Sequence, residues 1–201
     1  MRCTKLFLTA TAFLLLYYPI EAQQIIRLDS GKLPVVCFAG KGTGQQSRIS
    51  APDRFLRGGS GEARTKTAAI EVEYFGFSTQ ARQAFEFATA IWESLLTSPV
   101  SIRVAAVWTN LPEGTLGTAG PSFWAANFER TPKYNIYYPG PLAEKLAGQE
   151  LNNPDEYDIV AQFNSSANWH YESTGTPEPG EFDLITVVLH ELGHGLGFTG
   201  T

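Results

Sequence analysis

Hydrophobic and polar positions change period several times along the chain. Ala69-Ile70-Glu71-Val72-Glu73-Tyr74 alternates and is rich in β-formers, which predicts a strand. Ser78-Thr79 then offers a helix cap before residues 80–96. There Ala84, Phe87, Ala88, Ile91, Trp92 and Leu95 recur at spacings of three and four, the mark of one helical face. Pro99 stops that helix, and Val100 to Trp108 returns to a strand pattern. Strand, helix and strand in about 40 residues predict a right-handed crossover between parallel strands. Residues 110–141 are rich in Gly, Pro and aromatic side chains, and beyond a short strand near Tyr134 to Tyr138 no regular structure is expected. Pro141 to Ala147 offers one or two helical turns, Asp158 to Asn164 a further strand, and Ser173 to Gly180 a loop. A last helix follows, and no internal repeat is visible.

The first residues have another character. A basic start (Arg2, Lys5), an apolar run from Leu6 to Tyr18 and the close Pro19-Ile20-Glu21-Ala22 follow the order of a secretory signal. The run is shorter than the roughly 20 apolar residues of a membrane span. Cleavage after Ala22 leaves 179 of the 201 residues, enough for one domain with a leading segment. It removes Arg2, Lys5 and Glu21, so the net charge moves from −5 to −6. The expected product is secreted, with no membrane span after signal cleavage. Residues 23–66 are uneven and glycine-rich at Gly40 to Gly44 and Gly58 to Gly61, and read as a leader or pro-segment. Residues 67–201 carry the domain proper.

Composition narrows the function. A pI of about 5.2 argues against nucleic-acid binding by phosphate neutralisation. With 43% hydrophobic residues the chain as a whole is not disordered. Once Cys3 leaves with the signal, Cys37 stands alone, so no disulfide framework holds the product. In Leu33-Pro34-Val35-Val36-Cys37-Phe38 the thiol reads as a small buried hydrophobe. Pairing with a segment outside the chain and thiolate ligation of a metal are its other readings.

The informative stretch is Asp183-Leu184-Ile185-Thr186-Val187-Val188-Leu189-His190-Glu191-Leu192-Gly193-His194-Gly195-Leu196-Gly197-Phe198. Asp183 can cap a helix whose apolar residues lie on most sides, which predicts a buried helix. His190 and His194 are four apart and share one face. Two imidazoles on adjacent turns can bind one zinc ion, Zn2+, through nitrogen. Glu191 points about 100° around the helix, placed to work as a general base rather than as a ligand. The plain alternative, two core histidines donating to carbonyls, leaves adjacent imidazoles and a carboxylate buried at high cost without a cation or other partners.

His190 to Phe198, HELGHGLGF preceded by DLITVVL, resembles the active-site helix of secreted zincin metallopeptidases. The strand-helix-strand beginning and the strand before the last helix are similar to a zincin N-terminal subdomain. The resemblance spans roughly Thr67 to Thr201 and is specific in the last 19 residues. It implies an α+β fold: a mixed twisted sheet with a backing helix and a buried active-site helix. It implies zinc on His190 and His194, Glu191 as base, hydrolysis of polypeptide substrates, and an edge strand that pairs with substrate, for which Asp158 to Asn164 is the candidate. Gly197 matches the glycine of the metzincin signature, where the chain turns out of the helix. That signature's third ligand would fall at Gly200, so the third ligand is expected beyond Thr201 and the chain reads as a fragment. His170 and Cys37 are the remaining candidates for it. His170 reads mainly as an exposed or loop histidine, and Glu172, Glu178 and Glu181 as solvated loop carboxylates. The functional alternative is a non-catalytic exported binding or adhesion module that keeps the scaffold. A zinc hydrolase of non-peptide substrates is a third.

Overall fold

The computed structural model describes residues 25–29, 35–38, 50–52 and 67–198. The expected signal at 1–22, most of the expected leader, and Gly200 lie outside the described residues. In chain order the elements are β1 (Ile26–Asp29), β2 (Val35–Phe38), β3 (Ile70–Phe75), α1 (Thr79–Leu95), β4 (Ile102–Thr109), β5 (Thr115–Pro121), β6 (Phe123–Ala126), β7 (Tyr138–Pro139), α2 (Gly140–Ala147), β8 (Ile159–Asn164), β9 (Trp169–His170), β10 (Phe182–Asp183) and α3 (Leu184–Gly195). The architecture is mixed α+β.

Strands β3 and β4 are adjacent and parallel, as a strand-helix-strand unit requires, and β8 continues the parallel run beside β4. β5 pairs antiparallel with β8, and β2 antiparallel with β5, giving the order β2-β5-β8-β4-β3. A smaller sheet, β1-β6-β7, and the parallel pair β9–β10 complete the strands. Both β1 and β2 come from the stretch read as a leader, and each pairs with a strand of the domain.

Asp158 to Asn164 is not an edge strand. β8 lies between β4 and β5 and is hydrogen-bonded on both sides, which corrects the expectation that it is free to pair with substrate. Its Ile159, Ala161 and Phe163 are all buried. The strand that covers it, β5, was hidden in Thr-Leu-Gly-Thr-Ala-Gly-Pro, whose glycines and proline disguise a strand buried on both faces. The expected strand at Tyr134 to Tyr138 shrinks to Tyr138–Pro139, while Tyr134, Ile136 and Tyr137 are exposed.

Helix α1 begins where Ser78 Oγ accepts from Ala81 N at 3.1 Å. Its buried stripe is Ala81, Ala84, Phe85, Ala88 and Ile91, turned from the expected one: Phe85 is fully buried, while Leu95 is exposed. Fully buried Phe85 meets Phe163 edge-on, with ring centroids 5.6 Å apart, joining helix to sheet. α1 and α3 contribute to one core with the sheet, built from Phe85, Ile91, Val104, Phe163, Leu184, Val188 and Leu192 among others. A satellite core of Phe123, Phe128 and Ala143 lies under α2.

The contact between α3 and β8 is close enough to require a glycine. A Cβ on Gly195 would fall 2.5 Å from Ile159 Cγ2 and 2.8 Å from its Cδ1. Ile159 is 1% exposed and branched, so it has nowhere to retreat. Gly195→Ala is expected to lower the unfolding free energy by about 1–3 kcal/mol. A urea titration of the variant beside the parent measures this.

Candidate metal centre

Asp183 opens α3: its Oδ2 accepts from Thr186 N at 3.1 Å, as the sequence predicts. Leu184, Ile185, Val188 and Leu192 bury the helix against α1 and the sheet. The helix period then divides the three motif residues. His190 and His194 lie on the outer side, exposed and half-buried, while Glu191 has no exposure.

The two imidazoles converge. His190 Nε2 and His194 Nε2 are 2.9 Å apart, with ring planes at 87°. His194 Nδ1 is 2.7 Å from the Phe198 carbonyl oxygen. Donation from Nδ1–H to that carbonyl leaves the Nε2 lone pair directed at the partner ring. A tetrahedral zinc with bonds of ~2.0–2.1 Å sets its nitrogens about 3.3 Å apart, so a small opening of the pair accommodates the ion. Burial, and then the neighbouring His194, lowers the His190 pKa and favours the neutral ring, the form a metal needs. The donor set fits zinc.

The end of the helix holds this geometry. Gly197 has φ +108°, and a Cβ there would fall 2.5 Å from Pro139 Cγ, so the chain can leave the helix here only through glycine. The turn lets Phe198 N donate to Gly193 O at 2.9 Å and presents the Phe198 carbonyl to His194. Phe198 stacks on Trp92 of α1, with centroids 6.1 Å apart, and Trp92 Nε1 donates to Leu189 O at 3.2 Å.

Glu191 sits against the sheet. A Cβ on Gly117 of β5 would lie 3.1 Å from Glu191 Cγ, so this glycine makes room for the carboxylate's stem. The sequence did not single out Gly117, Trp92 or the Phe198 carbonyl for the site. A glycine between Leu116 and Thr118 in a buried strand was the available signal for the first. Nothing in the local sequence signalled the other two.

The remaining candidates are placed elsewhere or stay apart. His170 lies on β9 with its side chain 12% exposed, which corrects its reading as an exposed or loop histidine, and it stands opposite Asp183, at the start of α3. That is seven to eleven residues, about 10–16 Å of helix axis, from the motif histidines. Its Nδ1 lies 3.4 Å from Glu172 and 3.5 Å from Glu181; Glu172 is exposed, in keeping with its reading as a solvated loop carboxylate, and Glu181 is half-buried. Glu178 is exposed. Cys37 is the register partner of Gly117, which brings the β2 backbone to the strand that lies against Glu191. Among the described residues no third His, Cys, Asp or Glu joins His190 and His194 at ligating distance.

Two outcomes are expected from this geometry. Gly117→Ala adds a methyl group where Glu191 Cγ, Gln162 O and Phe163 Cδ1 lie at 3.1–3.3 Å, and should cost about 1–2 kcal/mol in denaturant unfolding. In the metal-free protein His190 should take up its proton only below the ordinary histidine value of 6.5, measured by NMR titration of the ring protons.

No curated protein and no solved structure matches the chain. One family model, SPBPB7E8-like, matches residues 86–201, from within α1 through the metal-centre motif. That is more than half of the sequence, and the chain belongs to the SPBPB7E8-like family.

Proposed function

We propose that the protein is an exported zinc-dependent endopeptidase. The observation that carries this is the convergence of His190 Nε2 and His194 Nε2 at 2.9 Å, with Glu191 held between them in sequence and buried against Gly117. His190 and His194 would hold the ion, with a third ligand from outside the described residues. Zinc bound there would supply Lewis acidity toward a peptide carbonyl and acidify water. Glu191 takes the proton of the attacking water and passes it to the departing amine. Its burial removes competing bulk water and suits a base that must change protonation state within a turnover. The Phe198 carbonyl fixes the tautomer and orientation of His194. The signal-like order of residues 1–22 supports export, and among the described residues no helix is long and apolar enough to cross a membrane.

One observation favours a second reading. The absence of a third ligand among the described residues suits a binding module that keeps the scaffold without the reaction. Glu191 discriminates, since binding alone has no use for a base beside the histidines.

Purified protein is expected to hold one zinc per chain and to cleave unfolded casein. Glu191→Gln should keep the zinc and lose about 10²–10⁴-fold in cleavage rate. His190→Ala combined with His194→Ala should lose the zinc itself. Unchanged cleavage in Glu191→Gln overturns the base assignment. Zinc without cleavage in the parent favours the binding module, and cleavage of esters alone favours a non-peptide hydrolase.

A further inference from the structure

The stretch that the sequence reads as a leader is built into the sheets at two places. β1 runs antiparallel to β6, from Ile26 opposite Ala126 to Asp29 opposite Phe123. β2 runs antiparallel to β5, with Val35 opposite Ala119 and Cys37 opposite Gly117. β5 and β6 follow one another in the chain, so β1 and β2 lie along consecutive strands in the same antiparallel sense. The other side of each is already taken, by β8 for β5 and by β7 for β6. Among the described residues, β5 and β6 would therefore be bare edges without β1 and β2. A bare edge presents a row of N–H and C=O groups to which an extended peptide can add as a further strand.

That edge borders the metal centre. Gly117 of β5 lies against Glu191, its Cβ position 3.1 Å from Glu191 Cγ. β7, on the far side of β6, holds Pro139 against Gly197, where the chain leaves α3. β2 also neighbours α3. At the other end a side chain fastens β1: Arg27 pairs with Glu156 at 2.7 Å and lies over the Phe123 ring, 4.8 Å from its centroid. Both side chains of the ion pair are partly exposed, so it adds a modest hold and the backbone ladders carry most of it.

We propose that β1 and β2 form an intramolecular strap that fills the β5–β6 edge and keeps an extended peptide from docking there beside Glu191. The occupancy rests on the strand pairing, while its consequence, slowed hydrolysis when the strap is seated, rests on the peptidase reading. Displacing the strap exchanges one antiparallel ladder for another, so an incoming peptide gains about what the strap gives up. Belonging to the same chain, the strap returns to the edge as an intramolecular partner, which a dilute peptide cannot match. The contacts of Arg27 with Glu156 and Phe123 favour the seated form further.

The test opens the strap in the full 201-residue chain. Val36→Pro with Cys37→Pro removes the backbone donors of two neighbouring residues, one of which faces β5 in an antiparallel ladder. Amide hydrogen exchange at Gly117 to Ala119 is expected to speed up about tenfold or more, with α3 unchanged. Arg27→Glu should speed exchange in β6 about threefold, and Glu156→Arg added to it should restore the parent's rate. That charge swap decides the matter if the proline variant loses protection in α3 as well. Docking is read with a fluorescein-labelled synthetic peptide of residues 26–38, in the Glu191→Gln background so that no hydrolysis intervenes. The opened chain should bind it about tenfold or more tighter than the chain with its strap intact. Unchanged exchange of β5 and β6 in both variants overturns the proposal. So does an opened edge that binds the peptide no better than the intact chain, and so does parental casein cleavage in a chain whose edge is open. Peptide binding by the opened chain with no casein cleavage in any chain sinks the peptidase reading and leaves the strap standing.

Discussion

The closeness of one helix to one sheet governs the centre of this molecule. Helix α3 approaches β5 and β8 so nearly that a Cβ at Gly117, beneath Glu191, would be tightly packed at 3.1 Å, and one at Gly195 would fall 2.5 Å from Ile159. The first contact gives a carboxylate-bearing stem a place in the interior. The second seats the helix end where His194 meets the Phe198 carbonyl. A larger residue at either place would lift the helix and disturb both the buried acid and the exposed imidazoles. Burying a carboxylate costs several kcal/mol unless other groups compensate it.

Much of this was legible in the sequence, for identifiable reasons. The caps at Ser78 and Asp183 announce themselves through residue type, and both structural caps use those side chains. Period-two alternation placed β3, and the i, i+4 spacing placed both histidines on one face, where their Nε2 atoms meet. What failed was long-range. β5 hides in a stretch with glycines and a proline because it is buried on both faces and held by neighbours, so its local propensity says little. Without β5 in view, β8 looked like an edge. The rotation of the buried stripe of α1 onto Phe85 depends on Phe163, a residue 78 positions away. No local pattern carries that information.

Imidazole nitrogens on successive turns of α3 are of the donor type that suits a borderline ion. The helix that carries them rests on β8, whose first residue, Ile159, lies against Gly195 near the helix end.

The paired imidazoles are the proposed zinc ligands. Zinc K-edge absorption fine structure of the purified 201-residue chain reads the ligands of the bound ion directly. A shell containing two imidazole nitrogens at ~2.0–2.1 Å, with the outer-ring scattering of histidine, is expected. A zinc-free sample after purification with zinc present, or a shell with no imidazole scattering, would contradict it.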